Sequence, residues 1–78
     1  MEIKILGTGC FNCKVLENNT HLALEKSGIK ADVNKITEME EIMNYDILST
    51  PGFVIGEKVI SSGKVLSVDE IVEILEKQ

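Results

Sequence analysis

The chain has 78 residues, 44% of them hydrophobic, and a formal net charge of −5. That length suits one domain spanning residues 1–78, with a small core in which nearly every apolar residue must be used. All 8 basic residues are lysines and none cluster, which argues against nucleic acid or an anionic membrane as partner.

No apolar run reaches the length of a membrane span, and Glu2 and Lys4 interrupt the N-terminus where a signal peptide would be apolar. A cytoplasmic protein is expected. Ile3, Ile5 and Leu6, with Lys4 between them, predict a brief first strand that Gly7-Thr8-Gly9 ends. A helix follows from about Phe11 to Ser27. Val15, Leu16, Leu22 and Ala23 recur at helical spacing, and Gly28 is a stop signal. Residues 29–36 read as a second strand, with Ala31 and Val33 on one side.

Thr37 with Glu40 fits a capping box for a short helix whose apolar face is Met39, Ile42 and Met43, all expected in the core. Tyr45-Asp46 reads as its turn. Ser49-Thr50-Pro51-Gly52 holds the only proline. Phe53-Val54-Ile55 and Val59-Ile60 then flank Gly56-Glu57-Lys58, the pattern of a tight hairpin, closed by Ser61-Ser62-Gly63. Ser67 and Glu70 form another capping box, and Val68, Ile71, Val72 and Leu75 give the last helix one apolar face. The order is β-α-β-α-β-β-α. Strands joined through a helix are parallel and the hairpin is antiparallel, so the fold class is α/β: a four-stranded mixed sheet with helices on both faces, the hairpin at one side and the first strand central.

Both cysteines of the chain lie in Cys10-Phe11-Asn12-Cys13, where the first strand hands over to the first helix. Three positions apart at a helix start, two thiols share one face of the first turn at a separation that suits a disulfide. The free N–H groups and the dipole at that end favour a thiolate. Thiol–disulfide exchange needs an exposed thiolate that attacks and a second thiol that releases the mixed intermediate. Cys10, at the exposed end, is the candidate attacker; Cys13, one turn in, is the candidate resolver. No His, Asp or Glu stands inside the motif to act as a base. Gly7 and Gly9 leave the backbone beside Cys10 bare, so another chain can come close to its sulfur.

The element order, with Cys-x-x-Cys after the first strand and Thr50-Pro51 before the third, resembles the thioredoxin fold. The match is to the small glutaredoxin-like thioredoxins of archaea and bacteria, the redox-active disulfide protein 2 family. It is carried by Lys4-Ile5-Leu6-Gly7-Thr8-Gly9-Cys10, the Cys10/Cys13 pair, Ser49-Thr50-Pro51 and Ser62-Gly63-Lys64-Val65. The resemblance implies a thiol–disulfide oxidoreductase with Cys10 as nucleophile and Cys13 as resolving thiol. It further implies a cis Thr50–Pro51 bond beside the cysteines, and pairing of the Thr50 backbone with a bound partner. Gly9 stands where typical thioredoxins have a tryptophan, and Phe11-Asn12 is neither Gly-Pro nor Pro-Tyr.

A soft-metal module is the competing reading, since paired thiolates hold copper or zinc. Metallochaperone domains, however, carry Met where this chain has Thr8, run β-α-β-β-α-β, and lack Thr-Pro opposite the site. Redox exchange is therefore the expectation, with no cofactor beyond the Cys10–Cys13 disulfide itself. His21 has Glu17 and Glu25 four positions to either side and reads as a surface ion-pair residue. Lys14 reads as a solvated helix lysine. Glutathione sites offer a basic residue near the motif and a Gly-Gly with Asp after the hairpin; this chain has only Lys14 and Ser61-Ser62-Gly63-Lys64. The expected partners of this monomer are protein disulfides, with a thioredoxin-reductase-like flavoprotein as electron donor.

Overall fold

The computed structural model describes residues 1–78. Its elements are β1 (Glu2–Leu6), α1 (Phe11–Ser27), β2 (Asp32–Ile36), α2 (Met39–Met43), β3 (Gly52–Ile55), β4 (Lys58–Ser62) and α3 (Val68–Glu76). The expected β-α-β-α-β-β-α order is the one found. The four strands lie in the order β2-β1-β3-β4. β1 is parallel to β2 across α1, as a helical crossover requires, and the other neighbours are antiparallel.

Alternation along the central strands sorts side chains to two faces. Ile3 and Ile5 of β1 and Phe53 of β3 face a core of Leu16, Ala23, Leu66, Ile71 and Leu75, closed by α1 and α3. Leu6 and Val54 face the other way, onto Ile42 of α2, with Ile36, Tyr45 and Ile47 around them. α3 starts as expected: the Ser67 hydroxyl accepts from the Glu70 N–H, and the Glu70 carboxylate accepts from the Ser67 N–H. Those bonds, the Ser67 N–H first and then the Lys64 ammonium, lower the Glu70 carboxyl from 4.5 to about 2.

Several expectations are corrected. β2 begins at Asp32, not Ile29, because β1 begins only at Glu2, opposite Asp32, and offers no earlier strand residue to pair with. Ile29 and Ala31 still pack on the core. On α1 the buried row is Cys13, Leu16, Thr20 and Ala23, while Leu22 is exposed. Thr20 is tolerated there because its hydroxyl donates to the Leu16 carbonyl, 2.7 Å away. β4 takes in Lys58, which pairs with Ile55, and runs on to Ser62. The Thr37–Glu40 capping box does not form. α2 starts one residue later than that box requires, with Glu38 at the cap and no side-chain bond, so Glu40 is not at the third helical position. The same short helix buries only Ile42; Met39 and Met43 are exposed rather than core. A helix of five residues turns little more than once, so it has one inward position to offer.

Lys4 is the largest surprise. It sits on the central strand between Ile3 and Ile5 and is only 8% exposed. Its side chain points to the α2 face, where Nζ donates to the Tyr45 hydroxyl at 2.9 Å and to Glu57 Oε1 at 3.2 Å. The Tyr45 bond first, and Glu57 second, push its pKa above the ordinary lysine value, so the ammonium stays charged.

Candidate active site

β1 delivers the chain to Gly7, whose N–H donates to the Ile36 carbonyl of β2 at 3.0 Å. The backbone then crosses the end of the sheet and enters α1 at Cys10, the N-cap residue. There the Cys13 N–H donates to Cys10 Sγ at 3.2 Å, so the first turn directs a backbone dipole at that sulfur. Cys10 is exposed, whereas Cys13 is 5% exposed. The two are joined by a disulfide with their Cα atoms 5.0 Å apart.

The two glycines before Cys10 have different jobs. A side chain on Gly7 would run into Cys13 Sγ, so the space its missing Cβ leaves is already filled by the resolving sulfur and is not open to an incoming chain. This corrects the expectation for Gly7. Gly9 matches its expectation: it has φ +91°, a conformation few other residues adopt, and nothing lies within 4 Å of where a Cβ would be. Gly9 thus leaves an open approach next to the exposed Cys10.

The Thr50–Pro51 bond is cis. Pro51 is buried and Thr50 is exposed. Pro51 is held by its carbonyl, which accepts from the Gly63 N–H at 2.9 Å. This explains why Ser62-Gly63 belongs with the motif although it lies far along the chain. A Cβ on Gly7 would also touch Thr50 Cβ at 3.9 Å, which places Thr50 and Cys13 together beside Gly7. Neither the N–H nor the carbonyl of Thr50 takes part in a backbone hydrogen bond outside the helices and strands. Cys10, Cys13, Gly9, Thr50 and Pro51 are therefore gathered at one end of the sheet.

Glu17 was read in the sequence only as a neighbour of His21. That pairing exists, at 3.8 Å, and Glu25 takes no part in it. But Glu17 also follows Cys13 by one helical turn. With Cys13, Lys35 and Thr37 it lines a small cavity of about 60 Å³ under Gly7 and Gly9. Its carboxylate lies 3.8 Å from Lys35 Nζ, on β2. The i, i+4 spacing of Cys13 and Glu17 was the available signal; the part that Lys35 plays needed the β1–β2 register, which sets Lys35 beside Ile5.

A family model described as Thioredoxin domain matches residues 1–76. The chain belongs to the thioredoxin domain family. It is 40% identical over 75 residues to a thioredoxin of Methanothermobacter thermautotrophicus, an alignment covering 96% of this chain and 97% of that one. To a thioredoxin of Methanocaldococcus jannaschii it is 38% identical over 71 residues, covering 91% and 81%. A solved structure described as a malarial protein superposes with a TM-score of 0.71 over 97% of this chain and 93% of that one; at 10% identity this likeness speaks for the fold alone. As a family member with its cysteine pair joined in a disulfide, the chain is a thiol–disulfide oxidoreductase. The soft-metal alternative finds no support, and the element order is not the β-α-β-β-α-β of metallochaperones.

Proposed function

We propose that the protein exchanges disulfides with other proteins through Cys10, with Cys13 as resolving thiol. The observation that carries this reading is the contrast between the two sulfurs: Cys10 exposed at the N-cap of α1, Cys13 buried one turn in. In the reduced protein the Cys10 thiolate, favoured by the helix end, attacks one sulfur of the target disulfide. The target S–S bond breaks, its other sulfur leaves as a thiolate and takes a proton from water. Cys13 then loses its proton and attacks Cys10 Sγ. The mixed disulfide breaks, and the target departs with both sulfurs reduced. Two electrons have passed from the Cys10/Cys13 dithiol to the target.

The Thr50 backbone would pair with the target chain beside the attacked sulfur, and the bare flank at Gly9 would let that chain approach. Glu17 is the acceptor for the Cys13 proton across the small cavity that both residues line, with Lys35 Nζ 3.8 Å from its carboxylate. The reaction calls for no cofactor beyond the cysteine pair. Recharging falls to a protein dithiol of a thioredoxin-reductase-like flavoprotein in the cytoplasm, acting on a monomer. Glutathione finds little to anchor it, because in the cavity beside Cys13 the positive charges are Lys14 and Lys35, and Lys35 is already paired with Glu17.

Trapping tests the roles of the sulfurs. Cys13→Ser is expected to accumulate mixed disulfides through Cys10, and Cys10→Ser to accumulate none; equal trapping by both variants would overturn the assignment. Stopped-flow reduction of the oxidised protein then compares donors at matched thiol concentration. Rapid reduction by glutathione alone would exclude the preference for a protein donor.

A further inference from the structure

The chain from 36 to 57 contains Glu38, Glu40, Glu41, Asp46 and Glu57 and not one lysine or arginine. It runs from the last residue of β2 through α2 and the loop leading to Thr50-Pro51 to the turn after β3. Most acids elsewhere have partners, the exceptions being Glu25, Asp32 and Glu76. On α3, Asp69 pairs with Lys26, Glu70 with Lys64 and Glu73 with Lys77; on α1, Glu17 pairs with Lys35. Glu57 pairs with Lys4. Glu38, Glu40, Glu41 and Asp46 have no ion pair, and all four are exposed. Of the acids without an ion pair, Glu38, Glu40, Glu41 and Asp46 thus lie together in this one segment along one side of the active site, whereas Glu25, Asp32 and Glu76 are scattered over the rest of the chain.

The same segment presents apolar side chains to water. Met39 is 58% exposed, Met43 68% and Leu48 100%. With Ile42, Ile47 and Thr50 they line an open groove of about 250 Å³. In a chain this small, three large apolar side chains left out of the core and side by side need an explanation in binding. The groove reaches Thr50, which with Cys13 lies beside Gly7, so it is continuous with the end of the sheet where the cysteines lie. Methionine is suited to such a surface because its unbranched, polarisable side chain adapts to differing partners.

We infer that this groove docks the polypeptide flanking the target disulfide, and that the preferred targets carry lysine or arginine next to an apolar residue on that side of the attacked cysteine. The inference rests on the proposed exchange with protein disulfides and adds the class of target. The apolar side chain sits among Met39, Met43 and Leu48. The cations meet Glu38, Glu40, Glu41 and Asp46, which attract from a distance and disfavour acidic sequences. A second copy of this chain is a poor occupant, since its groove would bring the same charges into contact.

Two measurements test this on the full chain. In the first, a synthetic peptide with serine in place of cysteine is titrated into the oxidised protein and followed by NMR, so binding is read without exchange. A peptide with leucine and two lysines is expected to move the signals of Met39, Met43 and Leu48 saturably. Its counterpart with glutamates is expected to bind roughly tenfold or more weakly at low salt, with the gap closing as salt rises. Glu38→Gln/Glu40→Gln/Glu41→Gln is expected to erase the preference, and Glu73→Gln/Glu76→Gln on α3 to preserve it. In the second, the cysteine forms of the peptides, each in a mixed disulfide with a small thiol, are mixed with reduced protein in a stopped-flow instrument, and the order of rates is expected to match the order of binding. Equal binding of the two peptides at low salt, or a preference that survives the triple substitution, overturns the inference. Binding that follows charge without any exchange would instead count against the proposed reaction and leave the docking surface standing.

Discussion

The two faces of the sheet divide the work of this protein. Behind α1 and α3 lies the larger core, with Phe53, Ile3, Leu16 and Ile71 fully buried, and the charges around it are mostly paired. Under α2 there are only three buried apolar residues, together with a lysine held by a tyrosine and a glutamate; outside α2 stand bare methionines and unpaired acids. A small domain with little stability to spare concentrates its packing on one side. The other side is then free to be shaped for contact. The cysteine pair lies between the two, with Cys10 on the surface and Cys13 part of the buried row of α1.

The sharpest way to break this comparison is to cut one buried and one exposed side chain of similar apolar character. Phe53→Ala is expected to cost about 3–5 kcal/mol, a large part of the total for a domain of this size. Met43→Ala, on the bare side, is expected to stay within about 0.5 kcal/mol of the parent in urea unfolding. Equal losses would mean that α2 carries as much of the fold as α1 and α3.

Next in size is the pair of glycines. Gly7→Ala pushes a methyl group against Cys13 Sγ and is expected to cost about 1–3 kcal/mol. In the reduced protein it should also raise alkylation of Cys13 relative to Cys10. Gly9→Ala meets no neighbour and suffers only its backbone conformation, about 1–2 kcal/mol, with the labelling order unchanged. Mass spectrometry after limiting iodoacetamide distinguishes them. If Gly7→Ala leaves Cys13 as protected as before, the close fit around that sulfur is not what shields it.

A smaller effect concerns the cavity. Glu17→Gln is expected to slow resolution of the mixed disulfide roughly tenfold near neutral pH. The deficit should close at alkaline pH, where a thiol ionises without help. A uniform loss at every pH would make Glu17 a packing residue and no proton acceptor.

The smallest effect lies at the start of α3. The Glu70 carboxyl is lower in the folded protein than in the unfolded chain, so it contributes stability above the ordinary carboxylate range. That contribution is lost as pH falls from about 4.5 toward about 2. Glu70→Gln should therefore be less stable than the parent near neutral pH, and the two should converge in acid. The gap should shrink with salt, since the pair with Lys64 is exposed. Ser67→Ala is expected to cost about 1 kcal/mol through the lost cap.

The sequence by itself determined the element order, the parallel crossover, the hairpin and the last capping box, because each depends on neighbours a few positions apart. It also singled out Cys10, Cys13, Thr50 and Pro51. What it left open depended on contacts between distant segments. Met39 and Met43 share helical spacing with Ile42, yet only the tertiary structure decides that so short a helix has a single inward position. Lys4 looks like a break in an apolar strand until Tyr45 and Glu57 are brought over it from 41 and 53 positions away. Gly7 reads as a flexible turn residue until α1 folds back and sets Cys13 Sγ against it. Local spacing fixes which elements form; which side chain meets which across the sheet is settled only when the strands pair, and the cavity between Cys13 and Lys35 exists only in that register.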